Sequence, residues 1–183
     1  MSMADLAGGG IPETTLAPAD AEYRALMRLA ELVHEHPSPE TPIEALQLLV
    51  DVAREMTDAR YAALAVTDDK ERTEGFVTSG LTREELRGLR APPQAHGPLR
   101  GLRREGEPIR IDDLEQDKQS FGFPPRHPHM KGLLGVQLWA HQQVRGSLYI
   151  SEKSAERPFE DDDEKILLVL ARHASQIIER DWY

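Results

Sequence analysis

The sequence predicts an α+β fold in which helices pack on an antiparallel sheet, and three observations carry that reading. Apolar residues recur at helical spacing near both ends of the chain, over Tyr23 to Val33, Ile43 to Met56 and Ile166 to Ile178. Two pairs of strand-forming runs, 60–66 with 75–78 and 133–140 with 144–151, flank short polar turns as hairpins do. Strands and helices do not alternate regularly, which disfavours a parallel sheet.

Residues 1–18 hold Gly8-Gly9-Gly10 and few large apolar side chains, so burial cannot offset their ordering entropy and a disordered tail is expected. Residues 19–183 then form a single domain, as the length of 183 suggests. Its first helix stops at His36-Pro37-Ser38-Pro39. Thr41-Pro42-Ile43-Glu44 opens the second with a capping box and proline at the first helical position. After the hairpin built on Arg60–Val66, Thr82 starts a small helix with Glu84 and Glu85 in its first turn. Residues 91–98 carry too many breakers for regular structure, and a short Arg-bearing helix and a strand near Pro108–Ile111 follow. Asp112 to Met130 is a long irregular stretch of the kind that serves as a binding or lid element. The second hairpin turns at His141-Gln142-Gln143, and the acids from Glu160 to Glu164 mark the start of a long final helix, where its dipole favours them.

Composition narrows function. The absence of cysteine removes disulfides, thiolate metal sites, thiol nucleophiles and thioether-linked chromophores. A net charge of −10 disfavours nucleic acid and anionic membrane surfaces as general partners. No apolar run reaches the roughly 18 residues that cross a bilayer. With no basic, apolar leader, a cytoplasmic location is expected. Phosphate-binding, dinucleotide, zinc-protease and serine-hydrolase motifs are all missing. The acids at 160–164 lack the glycine and ligand alternation of a calcium loop.

Two groups of residues remain as site candidates. His127 and His129 stand in a loop stiffened by Pro124, Pro125 and Pro128, beside Phe121, Phe123 and Met130. An imidazole held by restricted backbone among apolar side chains suits an axial metal ligand, and it equally suits a loop histidine with no such role. His34, His36, His96 and His141 read as end or turn residues, and His173 as a boundary residue of the last helix. Residues 83–110 gather Arg83, Arg87, Arg90, Arg100, Arg103, Arg104 and Arg110, either an ordinary charged surface or an anion site.

The string IRIDDLEQDKQSFGFPPRHPHMKGLLGVQLWAHQQVRGSLYISEK, followed by PFEDDDEKILLVLA, resembles the second half of the GAF domains of dormancy-type, oxygen- and redox-sensing histidine kinases. DARYAALAV and EGFVTSGLTREEL match that family's first hairpin and helix, so the resemblance covers Pro42 to Arg180. It implies a GAF fold: a six-stranded antiparallel sheet, helices on one face and a ligand pocket under loops on the other. It further implies haem b as cofactor, with His127 of the Pro-Pro-x-His-Pro segment as the iron ligand, Phe123 lining the cofactor and Tyr149 bonding a bound gas from the distal side. Pro98-Leu99-Arg100-Gly101-Leu102-Arg103-Arg104 departs from the family's apolar, Gly-rich helix. Arg100, Arg103 and Arg104 either pair with haem propionates or wet a pocket that takes no haem.

The function implied is non-enzymatic: haem-based sensing of oxygen, nitric oxide, carbon monoxide or redox state in two-component signalling. The sulfoxide-reducing GAF enzymes need a cysteine that this chain lacks. The alternatives are a GAF module for another small anion, bound through the arginines, and a pocket-less dimerisation domain. Expected partners are a gas ligand, a histidine kinase or other signalling protein, since no phosphoacceptor or ATP-binding segment follows the last helix, and a second copy. The homodimer contact is expected at residues 20–36 and 160–181, whose apolar stripes exceed what one sheet face buries.

Overall fold

The structure is a computed structural model that describes residues 20–35, 37–88, 106–115 and 128–182. The expected tail over 1–18, the Arg-bearing helix, Phe123, His96 and His127 lie outside the described residues.

In chain order the elements are α1 (Ala21–Glu35), α2 (Pro42–Thr57), β1 (Ala59–Thr67), β2 (Thr73–Ser79), α3 (Arg83–Gly88), β3 (Ile109–Ile111), β4 (Leu133–Ala140), β5 (Gln143–Lys153) and α4 (Asp161–Ile177). A wider turn of helix, Ile178–Trp182, continues α4. The strands form one antiparallel sheet in the order β2-β1-β5-β4-β3. It has five strands among the described residues, where the resemblance implied six.

Local chemistry explains the boundaries. The Thr41 hydroxyl accepts from the Glu44 amide, Pro42 occupies the first turn, and Glu44 in return accepts from the Glu40 amide. The same exchange between Thr82 and Glu85 starts α3, and Glu160 with Asp163 forms a capping box for α4. Asp58 ends α2 in the left-handed region, its amide reaching the Arg54 and Glu55 carbonyls, and the chain enters β1 at once. The β4–β5 hairpin closes through His141 and Gln142, both at positive φ, the twist a two-residue turn requires. A bulge between Leu138 and Trp139 interrupts the ladder, and the Trp139 amide donates to Ser175 Oγ of α4 at 2.9 Å.

Alternation along the strands builds two apolar layers. Ala62, Leu64, Val66, Leu134, Val136, Leu138, Leu148 and Ile150 face α2 and α4, with Leu46, Leu49, Ile166, Leu167, Leu170 and Ile178 opposite, and α1 packs on α4. Each fully buried leucine or isoleucine there contributes about 1.5–3 kcal/mol. The stripe of α4 is spent inside the domain, since Ile166, Leu167, Leu170, Ala174, Ile177 and Ile178 are all buried. This corrects the expectation that α4 leaves apolar surface over; α1 does leave Tyr23, Leu26 and Met27 exposed.

The other face carries a smaller cluster of Tyr61, Ala63, Leu114, Met130, Leu133 and Tyr149, with Phe76, Leu81, Ile109 and Ile111 packed against it. No helix from the first layer covers it.

Candidate functional site

The face turned away from α1, α2 and α4 is the place to look for a ligand, because it presents polar groups on an apolar ground. Leu148 and Ile150 turn toward the helices, so Tyr149 between them points to the opposite side. Its neighbours across the ladder are Ala63 and Gly135, so no long side chain flanks the ring on its own rung. One rung along, Ser147 stands between Ala65 and Gln137. The floor of this face is therefore shallow beside two long side chains, Tyr149 and Gln137.

Two tyrosines on this face differ in how they are satisfied. The Tyr61 hydroxyl donates to Glu85 Oε1 at 2.9 Å. Burial is the first cause pushing the Tyr61 phenol up to about 12, and that bond to Glu85 adds to it. Glu85 is held below its ordinary range, first by the Thr82 amide and then by the hydroxyls of Tyr61 and Thr82, against its own burial. Tyr149 is only 8% exposed, and its hydroxyl has no hydrogen-bond partner among the described residues. Burial alone pushes its phenol above the ordinary tyrosine range. The residual exposure leaves this hydroxyl free to meet a ligand.

Gln137 is a site residue that the sequence reading did not single out. It is 7% exposed, and both its Nε2 and its Oε1 are buried without a partner. The available signal was a glutamine inside the apolar run LLGVQLWA.

The other candidates separate. His129 is exposed, with Nδ1 2.8 Å from Glu115 Oε1. His141 lies in the hairpin turn near Glu179, and His173 sits at the rim of an apolar groove with Leu29, Leu32, Leu48 and Ile177 on the helix side. Burial and the Arg180 charge hold the His173 imidazole below its ordinary value. Arg110 leaves the arginine group: it donates to Asp161 at 3.0 Å and Glu164 at 2.7 Å, tying β3 to the start of α4. Arg100, Arg103, Arg104, Phe123 and His127 lie outside the described residues, so of the site residues that the resemblance implied only Tyr149 is placed. The described residues hold no group of three or more His, Asp or Glu side chains able to bind a metal.

A polar cleft opens at one end of the sheet between Arg54, Arg60, Glu85, His129, Lys131 and Glu156. Its charges already answer each other, Arg60 with Glu85 and Lys131 with Glu156, so it offers a ligand little net field. Among the described residues no helix is long and apolar enough to cross a membrane.

Solved structures share this architecture. The GAF domain of an Acinetobacter phosphoenolpyruvate-protein phosphotransferase matches with a TM-score of 0.69 at 18% identity, over 88% of this chain and 94% of that one. The GAF domain of the Coxiella burnetii phosphotransferase ptsP matches with 0.67 at 22% identity, over 87% and 95%. A domain of a two-component sensor histidine kinase protein from Sinorhizobium meliloti matches with 0.54 at 18%, over 76% and 91%. The model of the GAF domain family itself matches residues 39–179, and with the sheet order and helix layer above it makes this chain a member of the GAF domain family.

Proposed function

We propose that the domain is a sensory module that reports occupancy of the sheet face bearing Tyr149 to a signalling partner, and that the occupant is haem b held by His127. The observation that carries this reading is Tyr149, a buried phenol on an apolar wall whose hydroxyl meets no described group. Ile109, Ile111, Leu114, Met130 and Leu133 give that wall the character a flat, apolar macrocycle requires. Burial keeps the Tyr149 hydroxyl protonated, so it would donate a hydrogen bond to a gas ligand. When bound, haem supplies an iron that takes oxygen, nitric oxide or carbon monoxide, or that changes charge on oxidation. In this reading Phe123 lines the cofactor and Arg100, Arg103 and Arg104 pair with its propionates.

Transmission is supported by the sheet itself. β5 carries Tyr149 on one face and, on the other, Leu148 and Ile150 in the core that α4 completes, so a displacement at the site reaches the terminal helices through one strand. Occurrence of this fold in a sensor histidine kinase protein supports a kinase or other signalling protein as the partner. The exposed Tyr23, Leu26 and Met27 on α1 support a homodimer through that helix.

The test is Tyr149→Phe in the haem-loaded protein. Gas dissociation or autoxidation rates should change clearly while haem stoichiometry holds; unchanged rates would remove Tyr149 from the ligand chemistry.

A further inference from the structure

Gln137 carries an observation that a gas-binding iron leaves unused. A primary carboxamide has two N–H donors and an acceptor oxygen, and at 7% exposure both ends of this one are buried without partners. A buried group in that state costs stability unless something else meets it. On the sheet face Gln137 stands opposite Ser147, one rung from Tyr149, and such diagonal neighbours are about 7 Å apart at the Cβ level. The chain returns over it at Gly106, where φ is +75° and a Cβ would stand 3.6 Å from Gln137 Oε1, so the carboxamide lies beneath backbone and not in open solvent.

We propose that Gln137 is a second ligand-contacting residue of this face, and that it reads a group offering a hydrogen-bond acceptor and a donor side by side, as a carboxamide, a lactam or a protonated carboxyl does. Donor and acceptor are both required, because a ligand that only accepts leaves Oε1 as orphaned as before. Tyr149, within reach of the same bound group, adds a third hydrogen bond. The proposal rests on the reading of this face as the ligand site, and it is independent of haem as the occupant. Two sources share the chemistry: a separate small amide or lactam, and a carboxyl arm of a porphyrin that is held protonated and not paired with an arginine.

The experiment compares the full chain with Gln137→Met, which keeps the side-chain length and removes both polar atoms. Benzamide and hemin are the probes for the two sources, and toluene is the shape control without hydrogen-bonding atoms. Whichever of benzamide and hemin binds the wild type should bind Gln137→Met about tenfold more weakly, the loss expected for a satisfied buried bond. In nitrogen-15 spectra the side-chain amide pair that disappears in Gln137→Met should move with that probe in the wild type. Toluene should bind both proteins alike. In the ligand-free protein, Gln137→Met should unfold no earlier than the wild type, because it removes two unpaired polar atoms. Equal binding of the probe by both proteins, or an unfolding midpoint several degrees lower in the variant, overturns the assignment of Gln137 alone. A wild type that takes up none of the three probes overturns the reading of the face itself.

Discussion

Tyr149 and Tyr61 share one face of the sheet, yet replacing each with phenylalanine should move stability by different amounts. The Tyr61 hydroxyl bonds the Glu85 carboxylate at 2.9 Å in a partly buried setting, and hydrogen bonds to charged groups contribute about 1.5–3 kcal/mol. Glu85 keeps its bond from the Thr82 amide after the change, so the net loss in Tyr61→Phe should fall near the lower end, about 1.5 kcal/mol. Tyr149→Phe removes a hydroxyl that has no partner among the described residues, and the ring contacts with Ala63, Leu133 and Met130 remain. A hydroxyl that keeps some access to solvent and has no protein partner contributes little to folding, so the ligand-free variant should stay within about 0.5 kcal/mol of the wild type. The two variants should therefore differ by about 1.5 kcal/mol, or roughly 3–6 °C in midpoint for a chain of this size. Urea denaturation of protein prepared without added haem reads the difference at constant slope. A Tyr149→Phe variant as destabilised as Tyr61→Phe would show that the Tyr149 hydroxyl is already bonded in the free protein, and the argument for a ligand there would fail.

Alkaline pH acts on the same pair. Both phenols are raised in the folded state, Tyr61 to about 12 from 10.0, so the unfolded chain loses its protons first. Their contribution is complete below pH 10 and is lost as pH rises toward 12, and the fall should be shallower in Tyr61→Phe when stability is followed by denaturation at each pH. Acid works through Glu85, whose carboxyl is lowered from 4.5 mainly by the Thr82 amide. Stability present above that value is lost as pH falls through the folded value, and Glu85→Gln should flatten this limb. Asp163 is 5% exposed, pairs with Lys153 and accepts from the Glu160 amide. Asp163→Asn leaves a buried ammonium without its counter-charge and should cost about 3–5 kcal/mol in urea, whereas the double change with Lys153→Met should recover much of the loss.

Much of the fold is legible in sequence because its signals are local. Thr41 with Glu44 and Thr82 with Glu85 announce helix starts within four residues. The alternation Leu148, Tyr149, Ile150 places the tyrosine on the face away from the helices before any coordinate is known. The site is less legible because its defining property is the absence of partners, which depends on the tertiary fold. Gln137 reads as one polar residue in an apolar strand, and only the packed sheet shows both ends of its carboxamide unmet. Arg110 sits among arginines in sequence, but its acids lie 51 and 54 residues downstream, so charge counting along the chain assigned it to the wrong neighbours. The stripe on α4 was read as surplus apolar surface because the sequence does not reveal that sheet, α1 and α2 consume it together.

Hemin titration of the full chain tests the central claim most directly, with His127→Ala, His129→Ala and His96→Ala alongside the wild type. The account predicts an intense Soret band that saturates at one haem per chain in the wild type and in the His129 and His96 variants, and that is lost in His127→Ala. A wild type that retains no haem, or a His127→Ala variant that binds it as tightly, would contradict it.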